Sequence, residues 1–281
     1  MAIAGCSRVP NKVFIQPQAL YKILGFNDKN NDGVIEKKSI GTLWRDEGYK
    51  PEADINGDGK IVETEAKYFL QNQSIIDPHI KQVFSLTNED RIIIVDLFKE
   101  KLSSIRSMKE IDSKGKIDRD KAFIKVNAII GLSELVTPVL GKETIKQIFK
   151  GFHKTVLSFI CPQAQARTLK ALVNASCDLG LIDDAIYIAN TIKNSGIQPQ
   201  EKGSALSHIS KSIAEAGLYK KALIIARDIK DDTFNKDRAL RDIAGIMVER
   251  RFSVDEITSL FKTNGINIKI RNDDSTHFIF E

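Results

Sequence analysis

The stretch DINGDGKIVETE, Asp54 to Glu65, places oxygen-bearing side chains at its first, third, fifth and twelfth positions and a glycine at its sixth. A hard divalent cation such as calcium takes about six to eight oxygen ligands and tolerates irregular geometry, so a loop wrapped around the ion suits it. Asp54, Asn56 and Asp58 would supply side-chain oxygens, Lys60 its backbone carbonyl, and Glu65 both oxygens of its carboxylate. Val62 at the ninth position has no side-chain oxygen, so a water is expected there. Gly59 permits the positive φ of a sharp bend, and Ile61 is expected to turn inward against its counterpart in a second loop.

That second candidate, DKNNDGVIEKKS, runs from Asp28 to Ser39. It offers Asp28, Asn30 and Asp32 at the same three places, then Gly33, the Val34 carbonyl and an inward Ile35. Its twelfth position is Ser39 where the other loop has Glu65, so one anionic bidentate ligand is missing and affinity should fall. Glu36, at the ninth position, is the residue able to compensate in part, directly or through water.

Such loops need short elements on either side to hold them. QALYKILGF, Gln18 to Phe26, carries Leu20, Ile23, Leu24 and Phe26 near one helical face leading into the first loop. Ile40, Leu43 and Trp44 read as an exit helix, ended by EGYKPEA, and EAKYFLQNQ reads as the exit helix of the second loop. From Gln18 to Gln71 the chain resembles the EF-hand superfamily, and the resemblance implies a calcium-binding pair. ADINGDGKI is also similar to the calcium loops of dockerin modules, although those close on aspartate and this loop on Glu65. The loops start only 26 residues apart, which leaves little entering helix for the second.

The rest of the chain reads as helix. Of 281 residues, 42% are hydrophobic and 7% aromatic, enough to bury real cores and a balance favouring a mainly α protein. Residues 1–73 hold ten basic and ten acidic side chains, so the net +5 lies beyond them, spread over solvated helix faces without the clustering of a nucleic-acid footprint. Cys6, Cys161 and Cys177 form no framework and no Cys-x-x-Cys pair, which fits a reducing compartment such as the cytoplasm. No apolar run is long enough to span a membrane.

Thr87 and Asp90 read as a capping box that opens an amphipathic helix carrying Ile93, Ile94, Leu97, Phe98, Leu102 and Ile105. Two further helices are expected over 118–136 and 143–160, the second with Ile145, Ile148, Phe149, Phe152, Val156 and Leu157 inward. Beyond Pro162 a repeat appears: Gly180, Ala185, Ala189 and Ile192 recur 37 residues later as Gly217, Ala222, Ala226 and Ile229. A worn third copy matches Leu206, Ile209 and Ile213 to Leu240, Ile243 and Met247, and KAFIKVNAII near Ala122 reads as a more divergent copy. Periods of this size mean stacked helical hairpins, because one hairpin cannot cover its own apolar face. INIKI and HFIF near the C-terminus predict a small hairpin or one added strand.

The organisation expected is therefore an EF-hand pair over 1–73, a helical linker or degenerate repeat over 74–162, helical repeats over 163–264, and a tail over 265–281. Over Gln163 to Lys262 the hairpins resemble tetratricopeptide-type units, which implies a surface for an unidentified protein or peptide partner. Ala171 to Pro199 is also similar to a pentatricopeptide repeat, a class that reads RNA, but the next unit lacks the closing GIQP, so nucleic acid is the alternative and not the expected partner. His79, His153, His208 and His277 are scattered and are expected in surface or capping roles, the thiols Cys161 and Cys177 in the core, and no enzymatic motif is present. The sequence thus predicts a calcium-binding scaffold or calcium-responsive adaptor that is not an enzyme.

Overall fold

The structure is a computed structural model that describes residues 17–28, 32–37, 48–192, 199–230, 232–272 and 276–280. It is mainly α: twelve helices and two two-stranded antiparallel sheets occur among these residues. The chain separates into two compact units, Met1–Ile94 and Val95–Glu281, and the division falls inside one helix.

In the first unit, helix α1 spans Pro17–Leu24, with proline at its start where the missing N–H costs no intrahelical bond. Leu20, Leu24 and Phe26 are buried as their spacing predicts, but Ile23 is 38% exposed and Tyr21 takes the inward place instead. Tyr21 can do so because its hydroxyl donates to the carbonyl of Gly33, which satisfies the polar end of a buried ring. Strands β1, Val34–Glu36, and β2, Lys60–Val62, pair antiparallel, with Ile35 opposite Ile61. A 3₁₀ turn, Pro51–Ala53, leads into the second loop, and helix α2, Glu63–Asn72, leaves it. Ile35, Ile61, Ala66 and Leu70 join Leu20, Tyr21 and Leu24 in one core. The expected exit helix at Ile40 to Trp44 lies outside the described residues, as do Asn30, Ser39 and Cys6. Helix α3, Pro78–Val83, follows, its N-cap Asp77 accepting from the His79 N–H.

Helix α4, Asn88–Ser107, opens with the reciprocal pair its sequence predicts: Thr87 N–H donates to Asp90 Oδ2 at 2.9 Å and Asp90 N–H to Thr87 Oγ1 at 3.1 Å. Ile94, Phe98, Leu102 and Ile105 face inward, whereas Ile93 is largely exposed.

The second unit continues with α5, Arg119–Leu135, and α6, Lys142–Val156. Helix α6 ends before the expected Ile160, and Leu157 and Ile160 are exposed. The backbone amides of Ile160 and Cys161 are instead captured at 2.9 Å each by Glu110 Oε2, a bond that a continuing helix would have denied them. Three hairpins follow: α7, Pro162–Asp178, with α8, Ile182–Thr191; α9, Pro199–Glu215, with α10, Tyr219–Arg227; and α11, Thr233–Glu249, with α12, Val254–Thr263. The repeated Ala185, Ala189, Ala222 and Ala226 are all buried.

Contacts repeat with the same order along the unit. First helices stack on one another, α5 on α7, α7 on α9, α9 on α11, while each second helix leans on the next first helix, α6 on α7, α8 on α9, α10 on α11. Helices α5 and α6 thus both rest on α7, as α7 and α8 rest on α9, although their sequence carries only a faint copy of the repeat. At the far end β3, Ile268–Asn272, and β4, Thr276–Phe280, form the terminal hairpin. Phe280 stacks on Phe261 of α12 at 5.6 Å between centroids, so the hairpin covers the last helices.

Candidate metal centre

In the second loop Asp54, Asn56, Asp58 and Glu65 each accept a hydrogen bond from a backbone amide. Asp54, almost fully buried, accepts from Gly57 N–H at Oδ1 (2.6 Å) and from Gly59 N–H at Oδ2 (2.9 Å). Asn56 Oδ1 accepts from Asp58 N–H at 3.1 Å, and Asp58 Oδ1 from Lys60 N–H at 2.7 Å. Glu65 then closes the loop: Oε1 accepts from Ile55 N–H at 2.8 Å and Oε2 from Val62 N–H at 3.1 Å. The residue is only 2% exposed, and its carboxyl is pushed up to about 7, chiefly by burial and further by the charges of Asp54 and Asp58, against the lowering effect of those two amide bonds.

The first loop repeats this geometry at an offset of 26 residues. Gly33 N–H donates to Asp28 Oδ2 at 2.9 Å, as Gly59 does to Asp54, and Val34 N–H donates to Asp32 Oδ1 at 2.9 Å, as Lys60 does to Asp58. Gly33 and Gly59 both adopt positive φ, 79° and 87°, at the same sixth position. Val34 and Lys60, whose carbonyls were the expected ligands, open the two strands, so they sit at matching loop–strand junctions. Glu36 is drawn across the sheet into an ion pair with Lys60 Nζ at 3.2 Å, on an exposed face.

Among the described residues no group of three or more His, Cys, Asp and Glu side chains converges on a point where a metal could sit. The acidic side chains turn instead onto loop amides. They nevertheless share one field: Tyr21 is raised above the ordinary phenol range by burial, then by Glu63, Asp28, Asp32 and Glu65, and Tyr49 by burial, then by Asp54, Asp58 and Glu65. Asp28 Oδ1 is a buried oxygen that finds no hydrogen-bond partner among the described residues. An all-oxygen donor set, a carboxylate oxygen without a partner among the described residues and a glutamate raised by burial and then by its acidic neighbours are chemically compatible with a hard divalent cation such as calcium.

Local spacing gives no sign of the role of the segment Gly48–Lys50. Tyr49 donates its hydroxyl to Asp54 Oδ2 at 2.5 Å, and Lys50 Nζ donates to the Leu24 carbonyl at 2.9 Å while lying 5.5 Å from the ring centres of both Phe26 and Phe69. Gly48 has φ 76°, and a Cβ there would lie 2.5 Å from the Gly25 carbonyl oxygen, so only glycine allows the approach. The sole hint in the sequence was EGYKP, read merely as a helix stop.

In the second unit His153, expected in a surface or capping role, is buried, within 3.1 Å of Thr191 Oγ1 and edge-on to Tyr187. Burial pushes the Cys177 thiol up to about 12, far from a thiolate at neutral pH. A groove of about 390 Å³ lies between α8, α9 and α10, lined by Asn190, Lys202, Leu206, Ile225, Asp228 and Lys230 among others. No helix among the described residues is long and apolar enough to cross a membrane.

Comparison of the chain with protein-family models, with curated proteins and with solved structures finds no match.

Proposed function

We propose that the first unit is an EF-hand-like pair that binds calcium, chiefly through Asp54, Asn56, Asp58, Lys60 and Glu65, and that the helical hairpins behind it form a tetratricopeptide-like scaffold for a protein or peptide partner. The observation that carries the calcium reading is the equivalence of the two loops: the same aspartate-to-amide bonds and the same positive-φ glycine recur 26 residues apart around one pair of facing isoleucines. Chance acidic turns have no reason to share that geometry. In the first loop Asp28, Asp32, the Val34 carbonyl and Glu36, with Asn30, are the available donors, and Ser39 makes that loop the weaker. The ion supplies charge neutralisation; the chain supplies the amides that fix each carboxylate before it arrives. For the scaffold, the supporting feature is a groove whose lining mixes Asn190, Lys202 and Asp228 with Leu206 and Ile225, the combination that suits a peptide backbone with both polar and apolar side chains. Thermal unfolding of the full chain in chelator, in calcium and in magnesium tests the first claim: calcium should raise the melting temperature well above both other conditions. Equal melting in all three would refute it.

A further inference from the structure

Asp54 is the first donor of the second loop, and each of its oxygens is already engaged. Oδ1 accepts from the Gly57 N–H, and Oδ2 accepts both from the Gly59 N–H and from the hydroxyl of Tyr49. Among the described residues the equivalent Asp28 has no such helper: its Oδ2 accepts from the Gly33 N–H, and Oδ1 finds no partner. The tyrosine of the first half, Tyr21, spends its hydroxyl on the Gly33 carbonyl and not on an acid. The two loops therefore differ at the lead-in as well as at the closing position.

Tyr49 is itself fixed. On one side Gly48 packs against the Gly25 carbonyl; on the other Lys50 caps the end of α1 at the Leu24 carbonyl and sits between the rings of Phe26 and Phe69. The ring also packs against the buried core of the unit. The three-residue segment thus does what a longer entering helix would do, holding the first ligand of the loop against the rest of the fold. We infer that Tyr49 is a positioning residue for the cation: its hydroxyl fixes the Asp54 carboxylate in one rotamer, leaves Oδ1 directed into the loop, and so sets the calcium affinity of the second site. The inference rests on the calcium reading given above. A carboxylate accepting from a neutral hydroxyl forms a charge-assisted bond, stronger than an ordinary one, and losing it returns rotamer freedom that binding must then remove.

The test is calcium titration calorimetry on the full chain and on its Tyr49→Phe and Tyr21→Phe variants, with melting temperatures measured in chelator. Both substitutions keep the ring and delete one hydroxyl bond within the same unit, so both lower stability. The expected result is that Tyr49→Phe weakens the tighter calcium site about tenfold, while Tyr21→Phe leaves that site within about twofold of the parent. Parent affinity in Tyr49→Phe, or equal weakening in both variants, would overturn the positioning role and leave the calcium reading standing. A parent chain that takes up no calcium would remove the calcium reading and the positioning role together.

Discussion

Ile35 and Ile61 face each other across β1 and β2, and neither exposes any surface to solvent. Each lies at the eighth position of its loop, so the two candidate sites meet at this pair of side chains in the first unit's core. Truncating either therefore acts on both loops. Ile61→Ala should destabilise the first unit by about 2–4 kcal/mol through lost burial and an unfilled cavity. Chemical denaturation of the parent and the variant measures it; a loss below about 1 kcal/mol would mean the pair is not packed as described.

Glu65 gives the cation-free protein a distinctive pH dependence. Its carboxyl ionises at about 7 when folded, against 4.5 ordinarily, because burial and then the neighbouring Asp54 and Asp58 disfavour the charge. Below the unfolded value both states are protonated and the full contribution to stability is present; as pH rises through the folded value, the buried group must ionise and that contribution is lost. In chelator the melting temperature should fall between about pH 4.5 and about pH 7. Glu65→Gln, which cannot ionise, should lack that part of the fall, and an unchanged profile in the variant would rule Glu65 out as its source.

A buried ion pair ties together three segments of the second unit. Lys125 Nζ lies 2.9 Å from Glu110 Oε1, with side chains 4% and 1% exposed, while Glu110 Oε2 holds the Ile160 and Cys161 amides. Lys125→Met leaves that carboxylate buried without its cation and should cost about 3–5 kcal/mol. Replacing both partners together should cost less than the single change, which a double-mutant cycle by denaturant unfolding would show.

The third hairpin turn carries a conformational cost the others avoid. Gly180 and Gly217 adopt φ 70° and 81° at the ends of α7 and α9, and Arg251 occupies the same place after α11 with φ 66°. The bonds match as well: Arg251 N–H donates to the Val248 carbonyl and Phe252 N–H to that of Met247, as Gly180 and Leu181 donate to Cys177 and Ser176. Since a side chain in the left-handed region costs about 1–2 kcal/mol and glycine returns part of that through the unfolded state, Arg251→Gly should stabilise the protein by about 0.5–1 kcal/mol. A lower melting temperature for the variant would contradict this.

Much of the loop geometry was legible because a tight loop braced by side-chain-to-amide bonds needs oxygen-bearing side chains and a positive-φ glycine at fixed intervals, and Asp54, Asn56, Asp58, Gly59 and Glu65 stand at them. The repeat was legible for a related reason: stacked hairpins need small residues at the same places, and Ala185 and Ala222 keep the period. Tyr49 was not, since it reaches Asp54 from five residues upstream through a non-helical lead-in that leaves no periodic trace. Nor was the Glu110–Lys125 pair, whose members sit on separate elements, or the early end of α6, which follows from Glu110 capturing two amides about fifty residues away along the chain. Arg251 hid the third turn because the residue type that marks the first two is absent there. Tertiary hydrogen bonds, unlike periodic burial, write nothing into local spacing.

The most direct measurement of the central claim is isothermal titration of the full chain with calcium, repeated on Glu65→Gln. The parent should release or absorb saturable heat with at least one ion bound per chain, and the variant should bind at least about tenfold more weakly at the tighter site. No saturable heat from the parent, or equal affinity in parent and variant, would contradict the assignment of Asp54 to Glu65 as a calcium loop.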